Sequence, residues 1–196
     1  MGILEFIIRR ISCRRENLVS RGSVVLAATF IFILPIAGHA ETVSNENSLK
    51  AAFIYNFAKY VEWPEDAFKG KAEFCIATLG RSPLNKELAA LSGKSVHGRR
   101  IVVHQLNSPD EAVKCQVLFI SRSELARLEG MLDSLKEVPV LTVSDQGYFC
   151  TMGGMLSLVI EKGKIVFDVN IQETQRAGLR PSSQVLKLAR KVYGRT

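Results

Sequence analysis

The sequence predicts an α/β fold of three layers: a mainly parallel sheet flanked by helices, with an antiparallel hairpin at one edge. Three observations predict it. From Phe74 to Val143 short apolar runs alternate with capped helical segments, the pattern of a sheet covered on its faces. The stretch Leu141 to Asn170 holds a strand, a loop marked by Gly153-Gly154, and two apolar runs joined at Lys162-Gly163, a hairpin signal. An amphipathic segment, Ser48 to Val61, precedes all of this and a second, from Ser182, follows it.

The first forty residues read as a leader rather than as part of the fold. Arg9, Arg10, Arg14, Arg15 and Arg21 precede the apolar run Val24 to Ala37, and Gly38-His39-Ala40 places small residues at −3 and −1. This is the pattern of a secretory signal peptide over 1–40, with a mature domain over 41–196. The rival, a membrane anchor, needs about 20 apolar residues, and the run is shorter. The leader carries five basic and two acidic residues; without it 21 basic and 17 acidic residues remain, so the net charge falls from +7 to +4. No like-charge run makes a nucleic-acid footprint, and the length is that of one domain with a real core.

In Ser48 to Val61 the residues Leu49, Ala52, Phe53, Phe57, Tyr60 and Val61 fall on one face, and Pro64 stops the helix. Phe74 to Leu79 is a strand. Ser82-Pro83 then starts a helix that runs to Ser92 and closes at Gly93. Ile101 to Val103 centres the next strand, and Ser108-Pro109-Asp110-Glu111 opens a short helix. Val117 to Ile120 centres a third strand, and Ser121 opens a helix to about Leu135 with Leu125, Leu128 and Leu132 on one side. Val138 to Val143 is the fourth strand. The hairpin pairs Met155 to Ile160 with Lys164 to Asn170, and Asn170 caps a short helix ending at Gly178. In the last helix Val185, Leu186, Leu188, Ala189 and Val192 form the apolar side.

Ligands of open α/β sheets sit beyond the carboxyl ends of the strands. Those ends carry Arg81, Ser82, Arg122 and Ser144, which could hold an anion beside helix starts; the plainer reading is ordinary caps and solvated arginines. No GxGxxG follows the first strand, and no GxxxxGK[ST], GxSxG, HExxH or CxxC occurs. His97 and His104 lack the further ligands a zinc site needs. No enzyme activity, metal or cofactor is therefore expected. Cys75 and Cys115 begin the first and third strands, neighbours in the commonest doubly wound order, so a bridge between them is expected; two buried thiols are the alternative. Cys150 is left as an unpaired thiol.

Lys50-Ala51-Ala52-Phe53-Ile54-Tyr55-Asn56-Phe57-Ala58-Lys59-Tyr60-Val61-Glu62-Trp63-Pro64 resembles the opening helix of YfiR-like periplasmic proteins. Leu141-Thr142-Val143-Ser144-Asp145, Gly153-Gly154-Met155, and Lys164-Ile165-Val166-Phe167-Asp168-Val169-Asn170 resemble that family's second half. Ala177-Gly178-Leu179 and Ser182-Ser183 with Leu186-Lys187-Leu188-Ala189 resemble its ending. The resemblance implies an exported, noncatalytic, homodimeric protein. By that resemblance it would bind the periplasmic sensor domain of an inner-membrane diguanylate cyclase and hold it inactive, and an outer-membrane lipoprotein could sequester it. Cyclic-di-GMP output and biofilm formation would follow. The resemblance also implies a second disulfide near the double glycine: Cys150 matches its first cysteine, but Ser157 stands at the second, so that bridge cannot form within this chain.

A repressor without catalysis acts by binding one state of its target better than the other. Its contact patch needs exposed rings. Trp63, Tyr148 and Phe149 are the candidates, against the reading that all three pack onto the sheet. The other class of function is a small-ligand-binding periplasmic sensor or receptor component that uses the strand-end residues.

Overall fold

A computed structural model describes residues 38–194. All but the last three residues of the expected signal peptide lie outside the described residues. Helix α1 spans Gly38–Tyr60, ten residues earlier than the expected start at Ser48, since neither glycine nor proline interrupts 39–63. Its buried stripe is Ala51, Ile54, Phe57, Ala58 and the following Val61. Only Phe57 and Val61 were expected there. Leu49 and Tyr60 are 46% and 44% exposed, and Phe53 is half-buried at the margin. The stripe with two alanines is the one that can approach the sheet closely, which turns the bulkier Leu49 line outward.

Ten strands follow: β1 (Val61–Glu62), β2 (Glu73–Leu79), β3 (Ser95–Val96), β4 (Arg99–Leu106), β5 (Val117–Ile120), β6 (Leu141–Ser144), β7 (Leu156–Glu161), β8 (Lys164–Asn170), β9 (Arg180–Pro181) and β10 (Lys191–Tyr193). Eight form one sheet in the order β10-β8-β7-β6-β5-β2-β4-β3. Neighbours from β4 through β2, β5 and β6 to β7 are parallel, as are β8 and β10; β3–β4 and β7–β8 are antiparallel. The expected hairpin is present, with Lys162 (φ 51°) and Gly163 (φ 74°) both left-handed as its two-residue turn requires. It is not the outermost pair, because β10 closes that edge. The expected final helix stops at Leu188, and Val192 belongs to the strand. The two-residue strands β1 and β9 pair separately, Val61 opposite Pro181.

Helices α2 (Leu84–Ala89), α3 (Leu128–Leu135), α4 (Ile171–Arg176) and α5 (Ser183–Leu188) complete the layers. The segment expected as one helix from Ser121 begins as a 3-10 turn, Arg122–Arg127, before α3. Asn170 and Ser182 cap α4 and α5, accepting from Glu173 N at 3.1 Å and Val185 N at 3.4 Å. The larger core cluster joins the α1–α2–α5 side to the sheet through Phe74, Ile76, Phe119, Val143, Leu158 and Phe167. A smaller one joins α3 to the opposite face through Ala77, Leu79, Leu118, Ile120 and Phe149. Each fully buried Leu, Ile or Phe contributes roughly 1.5–3 kcal/mol.

Cys75 and Cys115 form a disulfide with Cα atoms 4.5 Å apart. Gln116, fully buried beside it, is a hub: Oε1 accepts from Cys75 N at 2.8 Å, and Nε2 donates to Ala67 O at 2.8 Å. Its carbonyl accepts from Leu141 N and Trp63 Nε1.

Candidate functional site

The loop between β6 and β7 carries most of the named candidates, and its geometry sorts them. Ser144 is fully buried and donates to Ile120 O at 2.8 Å; it ties β6 to β5 and does not reach a ligand. Asp145, the next residue, holds Lys50 of α1 at 3.2 Å, and Glu46 holds the same ammonium at 2.7 Å. Burial works to lower the Lys50 pKa, but Glu46 and Asp145 outweigh it and hold it above its ordinary value. Sequence reasoning missed this lysine, although its place four residues before Ile54, on the buried stripe, was a usable signal.

Beyond Gly147 the chain makes a 3-10 turn, Phe149–Met152. Phe149 is fully buried, which overturns its expected place on a partner surface: its ring lies against Gly154, where a Cβ would come within 2.2 Å of it. Gly153 takes φ 94°, a conformation that favours glycine. The double glycine thus has two jobs, one to turn the chain and one to admit the ring. Cys150 is sealed between them and the hairpin, its Sγ 3.6 Å from Met155 O and 3.5 Å from Asp168 O. Burial, with the Asp168 carboxylate, pushes its thiol up to about 12. Asn170 Nδ2 donates to Cys150 O at 3.0 Å and pins the turn to β8. Asp168, fully buried, is neutralised by a bidentate pair from Arg190 at 2.9 and 2.6 Å, which fastens the start of β10. Tyr148 and Met152, at the two ends of the turn, remain 45% and 42% exposed.

Trp63 is half-buried. It donates to Gln116 O at 3.2 Å and packs edge-on to Phe74 and Phe68 with centroids at 5.4 and 6.5 Å. With Glu62, Phe68, His97 and Arg99 it lines a groove of about 270 Å³. So one of the three rings is core, one is shared between core and surface, and only Tyr148 stands free.

The strand ends of β2 and β5 do meet. Arg81 N donates to Ser123 Oγ at 3.0 Å, Ser121 and Ser123 share a hydrogen bond at 2.8 Å, and Ser123 bonds Glu124. Gly80 is needed there, since a Cβ would lie 2.3 Å from Ser121 Oγ. Ser82 Oγ accepts from Leu84 N at 3.2 Å. Ser121 and Ser123 are spent on each other with a carboxylate beside them, Ser82 serves its own helix start and Ser144 the Ile120 carbonyl, while Arg81 and Arg122 are exposed. A larger cleft, about 590 Å³, lies at the opposite ends of these strands, lined by the disulfide, Lys71, Val102, His104, Glu111 and Lys114 among others. Burial lowers the pKa of Lys71 there. Among the described residues no three His, Cys, Asp or Glu side chains cluster to hold a metal, and His97 and His104 lie apart. No described helix is long and apolar enough to cross a membrane.

Among solved structures, a conserved domain protein from Vibrio cholerae O1 biovar eltor aligns with a TM-score of 0.51 at 14% identity, over 74% of this chain and 60% of that one. That likeness is one of fold. The ABC domain in complex with L-Trp from Streptococcus pneumonia aligns at 15% identity over 61% and 56%, with a TM-score of 0.47. The chain thus spans 60% or less of the length of these two solved chains. A family model described as YfiR/HmsC-like matches residues 47–190, from buried Asn47 within α1 to the arginine that pairs with Asp168, and the chain belongs to that family.

Proposed function

We propose that the protein is an exported, noncatalytic regulator that acts in the periplasm. It binds the periplasmic sensor domain of an inner-membrane diguanylate cyclase and holds the enzyme inactive, lowering cyclic-di-GMP output. The family match over residues 47–190 is the observation that carries this reading. The disulfide supports an oxidising compartment. An outer-membrane lipoprotein as antagonist and a homodimeric state belong to the same proposal. Repression requires tighter binding to the inactive cyclase than to the active one. The contact surface assigned here is the outer side of the 145–154 loop, where Tyr148 and Met152 are exposed over a turn held rigid from beneath by Phe149 and Asn170.

The test is co-purification from the envelope with reporter output read in parallel. Wild type brings down a membrane protein with a cyclase domain. Tyr148→Ala stays folded by circular dichroism and fails both to bind and to repress. A Tyr148→Ala protein that represses normally removes this surface; a wild type that captures no cyclase removes the function. The protein recovered from the periplasm begins at Glu41 by intact mass, and retention of Met1 to Ala40 in membranes overturns export. A second reading, a small-ligand sensor or receptor component, now rests on the cleft beside the disulfide rather than on the strand-end serines. A ligand that raises the melting temperature in the absence of any captured partner would favour it.

A further inference from the structure

The edge of the sheet at β4 is open. Only its first residues are covered: Ser95 and Val96 of β3 pair with Arg100 and Arg99, Gly93 N donates to Ile101 O at 3.0 Å, and Ile101 N donates to Lys94 O at 2.7 Å. Ile101 therefore points its backbone groups outward, and the alternation of a strand points those of Val103 and Gln105 the same way. Among the described residues nothing bonds them. The uncovered window, Val102-Val103-His104-Gln105-Leu106, has no proline and no Lys, Arg, Asp or Glu, the usual guards of a free edge. Val102 and Val103 are half-buried, and His104 and Gln105 are exposed.

We propose that this edge joins a second copy of the chain by antiparallel strand addition about a two-fold axis at His104, continuing the sheet from one protomer into the other. The window is self-complementary in that register. Val103 N–H and C=O meet Gln105 C=O and N–H of the other copy, twice by symmetry, giving four backbone hydrogen bonds; His104 faces His104 and Val102 faces Leu106 in the non-hydrogen-bonded positions between them. Charge selects the same orientation. Exposed Arg100 lies before the window, and exposed Asp110 and Glu111 lie after it, so an antiparallel copy sets each basic end toward the partner's acidic end, whereas a parallel copy would set like against like. The strand ends at Leu106 and the chain bends at Asn107, the position that would face Ile101, so it leaves the strand direction before it would run into the Gly93–Lys94 segment of the other copy. Lys71, Glu73, Glu111 and Lys114 around the adjoining cleft are two of each sign and present no net barrier. The inference deepens the homodimer part of the reading above and holds or fails without reference to the cyclase.

The test uses the full chain, expressed with its leader and recovered from the cell. Non-hydrogen-bonded partners stand about 4.5 Å apart at Cα, within disulfide range. His104→Cys therefore cross-links to a covalent dimer under oxidation at least tenfold faster than Gln105→Cys, whose opposite residue is Val103. In sedimentation, Val103→Pro, which removes only an outward N–H, weakens dimerisation at least tenfold while wild type associates in a concentration-dependent way. Equal cross-linking of the two cysteine variants, a dimer untouched by Val103→Pro, or a wild type that stays monomeric throughout overturns the proposal. Should Val103→Pro fail to fold, the cross-linking pair decides alone.

Discussion

The two cysteine regions solve one problem by different means. At one end of the sheet Cys75 and Cys115 join β2 covalently to the chain just before β5, beside an open cleft and the Gln116 hub. At the β6–β8 side Cys150 has no sulfur partner, and the chain is held by packing instead: the Phe149 ring on Gly154, the Asn170 bond to the turn, and the Arg190–Asp168 pair. Where Ser157 stands, the hydroxyl donates to Gln146 O and serves the loop as a hydrogen bond rather than a bridge. One region resists unfolding by restricting the open chain. The other does so only through contacts of the folded state, and should be the more sensitive to a single missing or added carbon.

Phe149→Ala puts that to its hardest test. Removing a fully buried ring costs about 3–5 kcal/mol, read as a lower urea midpoint at unchanged slope; a loss under about 1 kcal/mol would mean the loop is not part of the core. Cys75→Ser follows. A 40-residue separation gives about 3–4 kcal/mol of lost stability on the chain-entropy view. Wild type treated with reductant should fall to the same melting temperature as Cys75→Ser, and Cys150→Ala, which keeps the bridge, should fall by the same amount when reduced. Gly154→Ala comes third, at about 1–3 kcal/mol for overpacking against the ring. In the Phe149→Ala background the same change should be close to neutral. That double-mutant cycle separates ring contact from backbone strain, and additivity would refute the assigned role.

The smallest effect at neutral pH is that of the Cys150 thiol, which shows only as the pH rises. An unfolded Cys150 thiol ionises near its ordinary value of 9.0, and the folded one at about 12. Because the folded pKa is the higher, this contribution is fully present below about pH 9 and is lost as pH rises toward 12. Between those limits wild type should lose stability more steeply than Cys150→Ala, by about 1.4 kcal/mol per pH unit. Native protein at pH 8 should leave Cys150 unalkylated, and denatured protein should expose one thiol; ready native alkylation would contradict the sealed site.

How much of this could be read in advance depended on periodicity. The alternation of capped helices and apolar runs placed β2, β4, β5 and β6 in order, and Lys162-Gly163 placed the hairpin turn. The strands β1, β9 and β10 have two or three residues, too few to show a period, so apolar spacing alone extends the last helix to Val192. The 145–154 loop has no period at all, so its aromatic pair carried no burial signal: Tyr148 lies exposed and Phe149 buried, one residue apart. Gly153-Gly154 was legible as a backbone break, but the ring that makes Gly154 necessary is known only from tertiary packing. Topology brings the ends of β2 and β5 together; that Ser121 and Ser123 bond each other beside Glu124, and that Ser144 turns to the Ile120 carbonyl, are matters of distances no spacing encodes.

The pairing of Val61 with Pro181 joins residues 120 positions apart. The end of α1 is thereby completed by chain made 120 residues later, and β10 is later still. Contacts of such long range set a slow folding clock, because loop-closure entropy must be met before they give anything back. A chain cut short after Gly178 would hold α1 and most of the sheet yet leave buried Asp168 without its cation. The described fold has no early, self-sufficient half, and until β9, α5 and Arg190 have been made it should remain soft enough to stay threadable.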